Sequence, residues 1–166
     1  MFLVNYDCTF IDYPSPNDWA IILYFSGCDH FCNSCQNKEL QKYGIGNYIT
    51  PDQLNILLST LSKKFQTKKI VFSGGDPLYQ NNVDDIKYFL QHYGSNYEIC
   101  IYTGCDIDYV KQNNITNFKF IKCGTFDNNI KRESGNFEDK FVLASPNQNF
   151  YDANYNQLSI NGILKY

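Results

Sequence analysis

Three of the seven cysteines in this 166-residue chain lie within eight positions of one another. Cys28, Cys32 and Cys35 belong to the stretch FSGCDHFCNSCQNKEL, residues 25–40, with three residues between the first two and two between the last two. In a reducing compartment, clustered cysteines bind metal or carry out redox chemistry more often than they form disulfides. The spacing therefore predicts a metal centre built on one loop, which we call the cysteine loop (residues 28–35).

The number of thiols bears on the kind of metal centre. A closed structural zinc site takes four protein ligands, and four-cysteine zinc sites are assembled from two cysteine pairs. A [4Fe-4S] cluster has four irons, so three thiolates from one loop leave one iron with an open position that can bind a substrate. The alternatives are a zinc ion with Cys8, His30 or Cys123 as a distant fourth ligand, and a chance clustering of buried cysteines.

The first elements around the cysteine loop have clear local patterns. Residues 19–25, WAIILYF, form a short apolar run that predicts a buried strand, directly followed by the cysteine loop. Residues 49–65, ITPDQLNILLSTLSKKF, predict a helix with Thr50 as N-cap and Gln53 completing a capping box. An apolar helix face then recurs in Leu54, Leu57, Leu58, Leu61 and Phe65.

The rest of the first 124 residues repeats this order of strand and helix. Residues 69–73 predict a second strand that ends in a diglycine, and residues 81–94 predict a second helix. A third strand is expected within residues 98–104, a short helix over 106–113, and a fourth strand within 118–124. The alternation predicts βαβ units around a mostly parallel sheet.

A fold class and a domain organisation follow from this alternation and from chain length. A chain of this length is too short for a closed eight-stranded barrel, so we expect an α/β fold that forms an open, partial (β/α) barrel. We expect a single domain over residues 1–166, with its core at about residues 19–124. Residues 125–166 show a weaker, less regular pattern, and residues 157–166, QLSINGILKY, predict either a final strand or a tail.

The residues with chemical or turn-forming character follow the predicted strands. In parallel α/β sheets, functional sites are built at the carboxyl ends of the strands. We therefore expect these residues to meet at one edge of the sheet. They are the three clustered cysteines, the pair Gly74 and Gly75, the pair Thr103 and Gly104, and the pair Cys123 and Gly124.

Composition excludes some functions. A net charge of -3 and a pI near 5.3 give no general attraction to nucleic acid or to an anionic membrane surface, so neither is an expected partner. The start of the chain, MFLVNYDCTF, does not resemble a signal peptide, and the apolar run WAIILYF is far shorter than a membrane span. We expect a cytoplasmic protein.

Several stretches resemble one superfamily. A C-x3-C-x2-C loop after the first predicted strand resembles the radical S-adenosylmethionine (radical SAM) superfamily, and GGDPL at residues 74–78 resembles its cofactor-binding diglycine element. The stretches FIDYP, GCDHFCNSCQNKEL and GGDPLYQNN are similar to the activating enzymes of glycyl-radical proteins. FIKCGTF (residues 120–126) and SPNQNFYD (residues 145–152) resemble C-terminal segments of the activases that serve anaerobic ribonucleotide reductases.

This resemblance implies a radical SAM type of barrel and a role for each candidate residue. Cys28, Cys32 and Cys35 would hold a [4Fe-4S] cluster, and S-adenosylmethionine would complete its open iron through the amine and carboxylate of its methionine part. Carbonyls of the diglycine can accept hydrogen bonds from the ammonium group of that cofactor. The cofactor-binding residues would be Ser34, Gln36, Asn37, Gly74, Gly75, Asp76 and Thr103.

The resemblance also implies partners. The substrate would be a large glycyl-radical enzyme, here an anaerobic ribonucleotide reductase, and the electron would come from a one-electron donor such as flavodoxin. The alternatives are a radical SAM enzyme for a small molecule, as in the deazaguanine pathway, a zinc-binding interaction module, and an inactive scaffold with a retained cluster. Cys105 and Cys123 could form an auxiliary metal site or redox pair, whereas Cys8 and Cys100 are expected to be structural.

Overall fold

A seven-stranded mixed sheet organises the fold of this chain. The computed structural model describes residues 1–15, 18–137 and 140–165. The elements within these residues are β1 Phe2–Thr9, β2 Ala20–Phe25, β3 Asn47–Tyr48, α1 Pro51–Phe65, β4 Lys69–Gly74, α2 Val83–Tyr93, β5 Glu98–Tyr102, α3 Ile107–Gln112, β6 Phe120–Cys123, β7 Gly135–Phe137, β8 Lys140–Val142, β9 Asn149–Asp152, β10 Ser159–Ile160 and β11 Ile163–Leu164.

The four strands predicted from the alternating pattern form the centre of the large sheet. The strand order is β3-β1-β2-β4-β5-β6-β9. Neighbours from β2 to β6 pair in parallel, whereas β1, β3 and β9 add antiparallel edges. The expectation of a parallel core is confirmed. The complete sheet is mixed and does not close into a barrel, and the fold is α/β.

Helix α1 begins as its sequence predicts. The backbone N–H of Gln53 donates to the Thr50 hydroxyl (3.3 Å), and the Gln53 side chain accepts from the backbone N–H of Thr50 (3.0 Å). This capping box satisfies two backbone donors that a helix start leaves without partners. The apolar face then packs on the sheet through Leu54, Leu58 and Leu61, which are buried.

The alternation of strand side chains divides the apolar core into two parts. On β2, Ile21 and Leu23 pack with the helices, whereas Ile22 faces the opposite side of the sheet. The same period continues on β4, where Phe72 faces the helices and Val71 faces away. Side chains of alternate strand residues therefore reach a second layer on the side of the sheet away from the helices.

That second layer is formed by the C-terminal part of the chain. Four short strands pair in the order β10-β11-β8-β7, all antiparallel. Phe141, Leu143 and Leu164 of this layer are buried against Val71 and Phe150 of the large sheet. Residues 125–166, which lack a regular sequence pattern, thus supply strands of both sheets, and their last stretch contributes β10 and β11.

None of the helices within residues 1–15, 18–137 and 140–165 has the length and apolar character that a membrane crossing requires.

Candidate functional site

A cavity of about 270 Å³ lies where the parallel strands end, between the large sheet and the C-terminal layer. Cys28, Cys32 and Cys35 all line it, and each is partly exposed. The sheet contributes side chains from the face away from the helices, and the C-terminal layer contributes residues 141–144. The predicted meeting of the strand-end loops agrees with this arrangement for the clustered cysteines, the diglycine, Thr103, Gly104 and Gly124. Cys123 instead packs in the core on the helix side of the sheet.

The cysteine loop is held at both of its flanks. The backbone N–H of Gly27 donates to the Leu40 carbonyl (2.8 Å), and that of Cys28 donates to the Gln41 carbonyl (2.9 Å). Within the loop, Phe31 and Ser34 adopt left-handed backbone angles, with φ of 47° and 58°. Residues other than glycine rarely adopt this backbone conformation, so the loop follows an irregular path. That irregularity lets three thiols of one short segment line one cavity.

The spacing of the three sulfurs bears on the metal they could hold. Two thiolates on one tetrahedral zinc ion lie about 3.8 Å apart, given a Zn–S bond of about 2.3 Å. Among the described residues, the group whose ligand atoms all lie within 4.8 Å of one another is His30, Asp76 and Cys105, and not the three clustered cysteines. The three clustered sulfurs thus do not all lie within 4.8 Å of one another, which agrees with thiolates on separate corners of a cluster.

The side chain of Asp76 is buried, forms several hydrogen bonds and does not line the cavity. Only 1% of its surface is exposed. Its Oδ2 atom accepts from the Thr103 hydroxyl (2.9 Å), from the backbone N–H of Gly104 (2.9 Å) and pairs with Nε2 of His30 (2.8 Å). Its Oδ1 atom accepts from the backbone N–H of Leu78 (2.8 Å). The carboxylate therefore joins three loops through four hydrogen bonds, and its contact with a cofactor stays a prediction.

The diglycine packs directly against the start of the cysteine loop. A Cβ atom on Gly74, whose φ is 111°, would lie 2.3 Å from the Phe25 carbonyl oxygen. A Cβ atom on Gly75 would lie 2.5 Å from the carbonyl oxygen of Gly27. The side chain of Asn37 donates to the Gly74 carbonyl (3.0 Å), which ties the diglycine to the segment after the third cysteine. Glycine is needed at both positions for this close approach.

The remaining predicted site residues fall into two groups. Gln36, Asn37, Gly74, Gly75 and Thr103 line the cavity together with the cysteines. The Thr103 hydroxyl is occupied, since it donates to Asp76 and accepts from the backbone N–H of Cys105 (3.1 Å).

Ser34 does not belong to this group. It is exposed and is not part of the cavity wall. Its left-handed backbone angle gives it a role in the shape of the cysteine loop instead.

Two ionisable groups of the cysteine loop have raised pKa values. Burial, with smaller contributions from nearby acidic groups, raises the pKa of Cys28 to about 11. The hydrogen bond to Asp76, followed by that to Cys105, raises the pKa of His30 to about 10. At neutral pH His30 is therefore an imidazolium paired with Asp76, and metal binding has to displace a proton from Cys28.

Polar side chains of the cavity wall that the sequence analysis did not assign include Asp12, Tyr102 and Lys122. Asp12 lies in the FIDYP stretch, and burial raises the pKa of its carboxyl group. Lys122 interrupts the apolar pattern of FKFIKCG just before a cysteine and a glycine, and this was the signal that could have identified it.

The other cysteines occupy different surroundings. The sulfur of Cys105 lies 3.8 Å from Nε2 of His30, and Cys105 is partly exposed. Cys123 is buried, and burial raises its pKa to about 12. Cys100 is buried in the core between the two sheets, where burial raises the pKa of its thiol well above its ordinary value.

Comparison with known proteins agrees with the chemistry of the cavity. Residues 19–150 match the family described as a 4Fe-4S single cluster domain. An anaerobic ribonucleoside-triphosphate reductase-activating protein of Enterobacteria phage T4 is 28% identical over 116 residues, which cover 66% of this chain and 72% of the phage protein.

Bacterial proteins of the same description are also similar. Those of Salmonella typhimurium and Escherichia coli K12 are each 31% identical over 90 residues, which cover 52% of this chain and 58% of each relative. The match therefore spans a little over half the length of these bacterial proteins. Because the family model covers most of the residues, including the cysteine loop and all four parallel strands, the chain belongs to the 4Fe-4S single cluster domain family.

Proposed function

We propose that this chain is a radical SAM activase, an oxidoreductase that generates a glycyl radical on a partner anaerobic ribonucleotide reductase. The observation that carries the proposal is the cavity itself. Three thiols from one loop line it beside a diglycine at the end of the neighbouring strand. The descriptions of the similar phage and bacterial proteins support the same activity.

In this proposal Cys28, Cys32 and Cys35 hold a [4Fe-4S] cluster and leave one iron free for S-adenosylmethionine. The match of residues 19–150 to a 4Fe-4S single cluster domain supports a cluster over a single zinc ion. A cluster held there would supply one electron for the reductive cleavage of S-adenosylmethionine, and the resulting radical chemistry would remove a hydrogen atom from a glycine Cα of the partner.

The protein side chains bind, orient and shield these groups. Gly74 and Gly75 let the end of β4 pack closely against the backbone at the start of the cysteine loop. Both glycines also line the cavity in which the cofactor would lie. Gln36, Asn37 and Thr103 line the same cavity and would contact the cofactor there. Asp76 and Ser34 act indirectly, Asp76 by joining three loops and Ser34 through its backbone turn.

The architecture supports a macromolecular substrate. The large sheet is open, and in this proposal it is the partial (β/α) barrel of a single radical SAM domain. An open side lets a segment of the partner reach the cavity. A one-electron carrier such as flavodoxin would reduce the cluster, and a cytoplasmic location agrees with seven free cysteines.

The experiment is an anaerobic assay with iron-reconstituted protein. We expect a brown protein that carries about four irons per chain, releases 5′-deoxyadenosine from S-adenosylmethionine when reduced, and produces a glycyl-radical spin signal on an anaerobic reductase. Cofactor cleavage without a spin signal on any reductase, but with turnover of a small molecule, would favour the deazaguanine type of enzyme. A colourless protein with about one zinc per chain would show an interaction module instead.

A further inference from the structure

Lys122 is a buried cation that faces the cavity. It lies on β6, between Ile121 and Cys123, and only 9% of its surface is exposed. Because strand side chains alternate, Lys122 points to the side away from the helices, where it lines the same cavity wall as the three clustered cysteines.

The surroundings of Lys122 compensate its charge only weakly. Among residues 1–15, 18–137 and 140–165, no carboxylate oxygen lies within 4.0 Å of its Nζ atom. The Nζ atom donates to the Gly124 carbonyl (3.3 Å) and lies 5.6 Å from the centre of the Tyr102 ring. The same carbonyl also accepts from the Gln148 side chain (3.1 Å). A buried ammonium group with such partners is costly to the fold unless a further anionic group joins it.

The thiols of the cavity would supply that anionic charge. An oxidised cubane held by three thiolates has a net charge of about −1, and one electron makes it about −2. Burial lowers the pKa of Lys122. The negative charges of Asp76, Cys123 and Cys32 act in the opposite direction, in this order of size. Because Asp76 is already paired with His30, the charge of Lys122 is available to interact with the thiols that line the cavity.

We propose that Lys122 is the cation that offsets the negative charge of a cluster in this cavity and so raises its reduction potential. The inference rests on the proposed cluster. Its physical basis is that a fixed positive charge in a poorly solvated site favours the more negative, reduced form. Lys122 acts through its positive charge alone and forms no bond to the cluster.

The test compares four reconstituted proteins: wild type, Lys122→Met, Lys122→Arg and Lys119→Met. Lys119 lies on the same segment but is half exposed and pairs with Glu98, so its charge is screened by solvent. Midpoint potentials are measured by electron-spin titration with dithionite, without S-adenosylmethionine. We expect a more negative potential for Lys122→Met, with Lys122→Arg and Lys119→Met close to wild type.

A second measurement needs no cluster. Methionine has a similar volume without the charge, so metal-free Lys122→Met should unfold at a higher temperature than metal-free wild type. A lower unfolding temperature would overturn the proposal and assign Lys122 a structural role. An unchanged potential in Lys122→Met with normal iron content would also overturn it. Failure of the wild type itself to bind iron would contradict the proposed function, so the two failures can be distinguished.

Discussion

The Nε2 atom of His30 lies 2.8 Å from Oδ2 of Asp76, although 46 positions separate the two residues. His30 is the second residue after Cys28, and Asp76 follows the diglycine directly. The same carboxylate holds Thr103 and Gly104 at the end of β5. One ion pair therefore fixes the cysteine loop relative to the ends of two parallel strands.

Replacing His30 should loosen the cysteine loop more than it weakens the fold. His30→Ala removes one charge-assisted hydrogen bond from Asp76, which keeps three other donors. We expect a loss of about 1–2 kcal/mol in the free energy of unfolding of the metal-free protein, measured with urea. We also expect reconstituted His30→Ala to lose iron to a chelator faster than wild type.

The matched control is His92→Ala. His92 is the other histidine of the chain, is exposed on α2, and contacts the Tyr88 carbonyl and the rings of Tyr88 and Tyr93. Equal rates of iron loss from the two variants would contradict a role for His30 in holding the loop.

The diglycine offers a separate test of close packing. In Gly74→Ala, a Cβ atom would overlap the Phe25 backbone, and the residue would keep a left-handed φ of 111°. We expect a loss of roughly 3–5 kcal/mol in the free energy of unfolding, from backbone strain and overlap together. Gly44→Ala measures the strain alone, because its φ is 90° and nothing lies within 4 Å of the added atom.

For Gly44→Ala we expect a loss of about 1–2 kcal/mol. Thermal and urea unfolding of both variants give the comparison. Equal destabilisation of Gly74→Ala and Gly44→Ala would contradict a close contact between the diglycine and the end of β2.

Local patterns in the sequence predicted the parallel half of the fold but not its other half. The capping box of Thr50 and the apolar runs of the central strands are each contained in a few consecutive residues. Strands β10 and β11 have two residues each, too few for any periodicity to show. They pair with each other, and β11 also pairs with β8, about twenty positions earlier in the chain. β1 pairs with β2 through a register shift, which also hides its alternation.

The candidate site divides in the same way. The cysteine spacing is local and identified the metal ligands that we propose. The hydrogen bonds of Asp76 were not predictable, because the partners come from loops far away in the sequence. The break that Lys122 makes in the apolar pattern of FKFIKCG marks it as unusual, but the C-terminal layer that completes the cavity around it has no regular sequence pattern.

The assignment of the thiols predicts a contrast within the seven cysteines. Cys32→Ser should abolish iron binding after reconstitution, because a cluster held by two thiolates on one loop is not retained. Cys8→Ser, on β1 and away from the cavity wall, should keep about four irons per chain. Iron content and visible absorbance measure both.

Cys105→Ser and Cys123→Ser extend the same comparison. Both should retain iron if these residues have no ligand role, with some loss of stability for Cys123→Ser because that side chain is buried. Loss of iron from either variant would instead support an auxiliary metal site near His30.

Asp12 provides a prediction about pH. Its carboxyl group is half-buried in the cavity wall, and burial raises its pKa above the ordinary value of 3.8, although a hydrogen bond from Thr9 opposes the shift. The folded state therefore binds this proton more tightly than the unfolded state does. The Asp12 carboxylate consequently reduces stability as the pH rises from 3.8 through the raised pKa, and the full penalty applies at neutral pH. Asp12→Asn removes the penalty.

At pH 7, metal-free Asp12→Asn should unfold at a higher temperature than wild type, and this difference should shrink toward zero below pH 3.8, where both proteins are neutral at this position. Glu133→Gln is the control, because Glu133 is exposed and the same loss of charge there should alter stability little at either pH. Scanning calorimetry at the two pH values measures the difference. A neutral-pH Asp12→Asn less stable than wild type would mean that the ionised carboxylate has a stabilising partner in the cavity. In that case the cavity wall would be built to hold both charges, those of Asp12 and Lys122, without a bound ligand.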